Sequence, residues 1–299
     1  MTQSLGRTGD VSQSWRARLR DTACSLLRPA SRRRGIEYLD GDDVDADTRL
    51  RALTDVARAN VVFAGARVVV REIQRVVAAT TNHTLTLLDI GTGTGDIPRL
   101  AIAAARAHGV ALTAIGLDVS PTLAQCAHAS GLLGVCGDAL SLPFADRSVD
   151  VSVCSQLLHH FSDDDAVRLL RELDRVSRLG VVVCDLRRSW FSAAGFWVAT
   201  FVLRFHPVSR HDGVVSVLRA FTRHELAGLV RAAVGHAHPV KHALGFRLAV
   251  SWAPARDAEL GSESNFILFP RVRGKRMKFD SDPNFPHHGI WRPMANDAE

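Results

Sequence analysis

The sequence predicts an α/β protein built on a seven-stranded, mostly parallel sheet with an antiparallel edge strand and helices on both faces. Three observations carry that prediction. Strand-like and helix-like segments alternate from Thr84 to Leu186. A glycine-rich turn, "LLDIGTGTGD" (Leu87–Asp96), joins the first apolar strand to the helix behind it. Acidic residues stand at the ends of successive strands, where such sheets gather their ligands.

The elements follow in order. Residues 1–45, rich in Arg and Ser around "RPASRRRG", read as a basic, partly disordered extension. Residues 46–80 read as a helical cap, because apolar residues recur at helical spacing through "RLRALTDVARANVVFAGARVVVREIQRVV", with Gly65 breaking it into two helices. The main domain, 81–256, opens with strand "TLTLLDI" and a helix from about Ile97 to His108. It continues through "ALTAIGLD", a helix near Pro121–Ser130, "GVCGD", "SVDVSVCS", a helix over "DDDAVRLLRELDRVSR", and "GVVVCDL". Residues 186–221 interrupt this rhythm as an inserted lid, after which "TRHELAGLVRAAV" is a helix. The segments "PVKHAL" and "FRLAVSWAP", turning at Gly245, read as a closing antiparallel hairpin. Residues 257–299 read as an appended extension, mobile from about 274.

Composition bounds the function. With 299 residues, 46% of them apolar, the chain can bury a sizeable core. It has no apolar run of membrane-spanning length, and "MTQSLGRTGDVSQSW" has no signal-peptide apolar region, so a cytoplasmic location is expected. The five cysteines lack paired or metal-type spacing and read as reduced, mostly buried thiols; no metal site is expected. The net charge of +6 resides in the ends: residues 41–270 hold 23 basic and 23 acidic residues. A neutral body argues against a nucleic-acid partner.

Gly91, Gly93 and Gly95 let the backbone approach a ligand closely. The dinucleotide fingerprint GxGxxG needs a third glycine where this chain has Asp96, a negative charge close to where a pyrophosphate would lie. No GK[ST] follows, so a phosphate-binding P-loop is excluded as well. Asp89, Asp118 in "GLDVSP" and Asp138 in "GDALSLPF" converge on one crevice and suit a cationic ligand with a ribose and an amine. S-adenosylmethionine has those groups.

On these motifs residues 84–255 resemble the Rossmann-like class I methyltransferases. The resemblance implies that Asp89 with Gly91, Thr92, Gly93 and Gly95 forms the methionine-side loop. It likewise implies that Asp118 takes the ribose hydroxyls, that Asp138 with Ala139 meets the adenine, and that Val119 and Ser155 belong to the cofactor site. After the fourth strand, base-methylating enzymes carry an Asn-Pro-Pro-aromatic turn, whereas this chain reads "SQLLHHF". That turn, with "RHDGVVSVLRAFTRHEL", is similar to the ubiquinone/menaquinone-biosynthesis type of small-molecule methyltransferase.

The resemblance implies methylation of an apolar or aromatic small molecule, at oxygen or carbon, drawn from phenolic, quinone-like or polyketide- or lipid-derived metabolites. RNA or protein methylation, and a non-catalytic cofactor-binding module, are the rival readings. His211 with Asp212, in the inserted segment, is the candidate acid–base pair; His159 and His160 are alternative bases, one of which is expected to pack, and His206 ranks lower. The uncharged stretch Trp190–Leu203 is too short to span a bilayer and is expected to cover the acceptor pocket with an aromatic wall. Weak association with a membrane surface is compatible with it, although its polar face lacks Lys and Arg.

Overall fold

The computed structural model describes residue 32 and residues 35–41, 44–255, 277–282 and 285–293. Two helices, α1 (Ala46–Val62) and α2 (Gly65–Ala78), precede the sheet. Asp45 caps α1, its carboxylate accepting the Thr48 N–H at 2.9 Å. The break falls where the glycine predicts it: a Cβ at Gly65 would lie 2.5 Å from the Arg247 guanidinium. Val69, Ile73 and Val77 of α2 are buried in the same cluster as Val182 and Cys184 of the sheet.

The parallel strands are β1 (Thr84–Ile90), β2 (Ala111–Asp118), β3 (Leu133–Cys136), β4 (Val149–Ser155) and β5 (Ser177–Leu186). Between them lie α3 (Asp96–Ala107), α4 (Pro121–Ala129) and α5 (Asp163–Val176). After β5 come α6 (Trp190–Val202), α7 (Pro207–Arg219) and α8 (Arg223–Val234), then strands β6 (Lys241–Ala243) and β7 (Arg247–Trp252). A last pair, β8 (Met277–Asp282) and β9 (Phe285–Pro293), closes the described chain. The spatial order is β6-β7-β5-β4-β1-β2-β3-β9-β8. β7 runs antiparallel to β5, placing Leu248 opposite Asp185. β4 is buried along its whole length, as a central strand covered on both faces should be.

Two expectations about the ends change. Residues 35–41, read as part of a loose extension, are fastened to α7: the Tyr38 and Leu39 N–H groups donate to Asp212 at 2.9 and 3.0 Å, and Glu37 is buried. The tail read as appended contains the β8–β9 hairpin, whose second strand pairs with β3 at Val135–Trp291. That hairpin occupies an edge that would otherwise present unpaired backbone groups, and it raises the sheet from seven strands to nine. Of 1–45 and 257–299, only residues 32, 35–41, 44–45, 277–282 and 285–293 are described.

The insertion 186–221 is two helices. α6 is where the uncharged stretch predicts a helix, but its side chains face the other way. Phe191, Trp197 and Phe201 are exposed, while Ser192, Ala193 and Thr200 are buried. Only Phe196 packs inward among the aromatics, against Phe63 and Phe205. Of the expected aromatic wall, Trp190, Phe191, Trp197 and Phe201 therefore face outward, and Phe196 alone packs inward, over Gly213 of α7, where a Cβ would collide with its ring. Four cysteines are described: Cys154 and Cys184 are buried, Cys126 is exposed and Cys136 intermediate. No helix among the described residues is long and apolar enough to cross a membrane.

Candidate functional site

β1 pairs with β2 on one side and β4 on the other, so chain connections leave in opposite directions around its carboxyl end and open a crevice there. The glycine turn lies across that crevice. Gly91, Gly93 and Gly95 all adopt left-handed backbone, with φ of +68°, +54° and +77°. Two of the three also lack room for a side chain: a Cβ at Gly91 would stand 2.9 Å from Leu157, and one at Gly95 2.6 Å from Leu132. At Gly93 a Cβ would meet nothing within 4 Å, so that face of the turn is open. The Gly91 and Thr92 N–H groups donate to the Leu117 carbonyl at 2.8 and 3.1 Å, tying the turn to β2.

The acids are arranged around this turn. Asp118 is buried at the end of β2, accepting the Gly93 N–H at 3.1 Å and the Ser120 N–H at 3.0 Å. Burial pushes its carboxyl above the ordinary value, against the pull of those backbone donors. Asp89 is buried too; desolvation, aided by the Asp118 charge and opposed by Thr92, pushes it up to about 7. Two buried carboxyls of like charge are costly unless a cation neutralises them. Asp96, the residue that departs from the dinucleotide fingerprint, begins α3 and is ion-paired with Arg99.

Farther along the crevice Asp138 is exposed and folds back on the Leu140 N–H at 2.8 Å, next to buried Ala139. Val119 is exposed beside Asp118, and the buried Ser155 hydroxyl has no hydrogen-bond partner among the described residues. An open glycine face, paired buried carboxyls, an exposed apolar side chain and an unpartnered hydroxyl are the donor set that S-adenosylmethionine fits: cationic at one end, hydroxylated in the middle and flat at the other.

The expected pair His211–Asp212 forms, with His211 Nδ1 2.9 Å from the Asp212 carboxylate. It lies on α7 and not in a loop, with the imidazole about half exposed against the Tyr38 ring at 4.6 Å. Asp212 also receives the two backbone N–H groups of Tyr38 and Leu39, so it holds the N-terminal segment down.

A second pair is far more enclosed. His159, in the 3₁₀ turn Leu158–His160 after β4, sets Nδ1 2.7 Å from Asp185 at the end of β5. The His159 backbone N–H donates to the other Asp185 oxygen at 2.8 Å. Burial pushes the Asp185 carboxyl up, but His159 and the backbone donors outweigh it and hold it below the ordinary range. Glu37 stands opposite, 4.0 Å from His159 Nε2 and 3.9 Å from His160 Nε2. These three side chains bring ligand-type atoms within 4.8 Å of one another. Glu37 already accepts Ser216 Oγ at 2.8 Å and Arg219 at 3.3 Å, a cation that a metal ion would have to oppose.

Sequence reasoning noticed His159 but not its partners. Asp185 carried a signal, an acid ending an otherwise apolar strand; Glu37 carried none. It also missed a polar cluster on the other side of the turn. Arg247 Nη2 donates to Asn60 at 3.2 Å and to Gln156 at 3.1 Å, and Gln156 itself has left-handed φ of +54° immediately after Ser155.

The topology is that of the Rossmann-like methyltransferase fold, with the glycine crevice at the carboxyl ends of its parallel strands. Residues 88–184, a stretch running from within β1 to within β5, match the family model described as Methyltransferase domain. A demethylmenaquinone methyltransferase from Roseiflexus sp. (strain RS-1) is 35% identical over 118 residues, covering 37% of this chain and 47% of the relative. The enzyme of the same name from Thermotoga maritima is 38% identical over 92 residues, covering 30% and 38%. The chain thus spans less than half the length of the curated relatives it matches. Among solved structures, the plantazolicin methyltransferase BamL superposes with a TM-score of 0.50 at 12% identity, covering 66% of this chain and 72% of its own, a likeness of fold.

Proposed function

We propose that the protein transfers the methyl group of S-adenosylmethionine to an apolar or aromatic small molecule of phenolic, quinone-like or polyketide- or lipid-derived type, at oxygen or carbon. The observation that carries this reading is the pair of buried carboxyls, Asp89 and Asp118, against an open left-handed glycine turn. The bound cofactor supplies a carbon already activated for displacement by its sulfonium. The chain then has three tasks: to neutralise positive charge, to fix orientation, and to accept a proton from the acceptor.

Asp89 and the turn Gly91–Gly95, Thr92 included, take the cationic methionine end, and Asp118 takes the ribose hydroxyls. Val119, Asp138 and Ala139 hold the adenine, while Ser155 donates from the β4 side. We assign the proton-accepting role to His159. Asp185 fixes its Nδ1 and stabilises the imidazolium that forms, the logic of an oriented base. The His211–Asp212 pair has similar contact geometry, but Asp212 takes its backbone donors from the distant Tyr38–Leu39 segment, which favours a fastening role, whereas Asp185 takes them from His159 itself and from the adjacent Leu186. The names of the partly matching relatives support a quinone-like acceptor.

The test is incubation of the full chain with methyl-labelled S-adenosylmethionine and cell extract, followed by fractionation. Label in an organic-soluble small molecule is the expected result. Label in RNA or protein would transfer the reading to a macromolecular acceptor, and cofactor binding without label would leave a regulatory module.

A further inference from the structure

Helix α6 is built inside out. Its small and hydroxylic residues Ser192, Ala193 and Thr200 are buried, whereas Phe191, Trp197, Val198, Phe201 and Val202 are exposed, Phe191 at 62% and Val202 at 78%. The exposed positions recur at helical spacing and so form one stripe. The stripe continues beyond the helix. Phe246 in the β6–β7 turn lies 3.5 Å from where a Gly195 Cβ would stand, and its neighbour Leu244 is 72% exposed. At the end of α1, Val61 and Val62 are exposed beside Phe63, whose ring meets Phe196 at 5.6 Å. Single exposed apolar residues are ordinary on any protein, but a contiguous aromatic face marks a surface that something covers.

The charge around this face indicates what covers it. From Leu186 to Arg210 the chain has four arginines and no acidic residue, Arg188 being buried against Glu225 and the other three not, and residues 56–71 add three arginines and again no acid. Arg58 donates to the Leu203 carbonyl at 3.0 Å, and the Arg210 guanidinium stands 4.3 Å over the Phe201 ring, so cations rim the carboxyl end of α6. The nearest acid on α1, Asp55, is buried and taken up by Arg58 and the His206 N–H. A second copy docked through this face would bring one cationic rim against another, which opposes self-association.

We propose that α6, the end of α1 and the β6–β7 turn dock on an anionic lipid bilayer surface. The aromatic stripe enters the boundary between headgroups and acyl chains, and Arg58, Arg204 and Arg210 meet lipid phosphates. α6 lies in the plane of the interface: its 13 residues span about 20 Å, too short to cross. The cations sit at the ends of α6 and on its neighbours, which is why the helix taken alone shows no basic polar face.

The test is co-sedimentation of the full chain with vesicles of phosphatidylcholine alone and of phosphatidylcholine containing phosphatidylglycerol. Binding is expected to the anionic vesicles, weaker to the neutral ones. The double substitution Phe201→Glu with Val202→Glu should lower vesicle affinity at least about tenfold, and Arg204→Glu should lower it severalfold on anionic vesicles only. Both residues of the pair are exposed, so melting temperature and S-adenosylmethionine binding should be unchanged, which separates this surface from folding and from the proposed transfer reaction. Absence of binding to either vesicle would overturn the proposal, as would binding undiminished by the double substitution. Self-association abolished by the double substitution, without vesicle binding, would overturn it in favour of a second copy.

Discussion

Asp89→Asn should make the cofactor-free protein more stable at alkaline pH while crippling its cofactor site. The Asp89 carboxyl is fully buried beside Asp118, and desolvation raises it from 3.8 to about 7. A carboxyl whose folded value exceeds its unfolded value stabilises the fold while it keeps its proton. That contribution is fully present below about pH 4 and is lost as pH rises through about 7. The shift of about 3 units, at about 1.4 kcal/mol each, makes the loss about 4 kcal/mol above pH 8. Asparagine keeps the shape without the charge, so the variant should escape most of that loss. Urea denaturation of both proteins at pH 3.5 and pH 8.5 measures it directly: the curves should lie close together at the lower pH, where the unfolded carboxyl also keeps its proton, and separate by a few kcal/mol at the higher. Added S-adenosylmethionine should reverse the order at pH 8.5, because a cation beside Asp89 favours its ionised form and binding then stabilises the native state. A wild-type–variant difference that does not change with pH would refute the account of Asp89 as a desolvated carboxyl awaiting a cation.

Asp118→Ala should weaken S-adenosylmethionine binding by about 1.5–3 kcal/mol, the range for hydrogen bonds to a charged group, and calorimetry on the folded variant checks it. Unchanged affinity would remove Asp118 from the site. Asp212→Ala should lower stability by about 1–3 kcal/mol by leaving the Tyr38 and Leu39 N–H groups unpaired, with hydrogen exchange accelerated at those two amides. Cofactor affinity should hold, and a fall in turnover without loss of stability would restore His211–Asp212 as the acid–base pair.

The alternation of strands and helices, the glycine turn and the order of strand-end acids were all legible in the sequence, because each depends on residues close in the chain. The turn's left-handed φ values at Gly91, Gly93 and Gly95 follow from local sterics, and strand ends place Asp89 and Asp118 by topology alone. Even the cap's break beside Gly65 could be read, although the left-handed turn itself falls on Ala64 and the close neighbour that keeps position 65 a glycine, the Arg247 guanidinium, is 182 positions away.

Other features were decided only when distant segments met. Periodicity announced α6 as an apolar helix but could not say which side faced out, since apolar residues surround it; packing turned Ser192, Ala193, Thr200 and the Phe196 ring inward, Phe196 over Gly213 of α7, and left the other aromatics outside. Asp212 looked like a partner for the adjacent histidine, yet the backbone of Tyr38 and Leu39 claims its carboxylate. One of His159 and His160 looked like packing, yet Asp185 and Glu37 come to His159 from β5 and the N-terminal segment. A sequence displays periodicity, turn chemistry and strand-end position, all set by neighbours. Which carboxylate serves which histidine, and which face of an apolar helix stays in water, depend on contacts between residues tens to hundreds of positions apart.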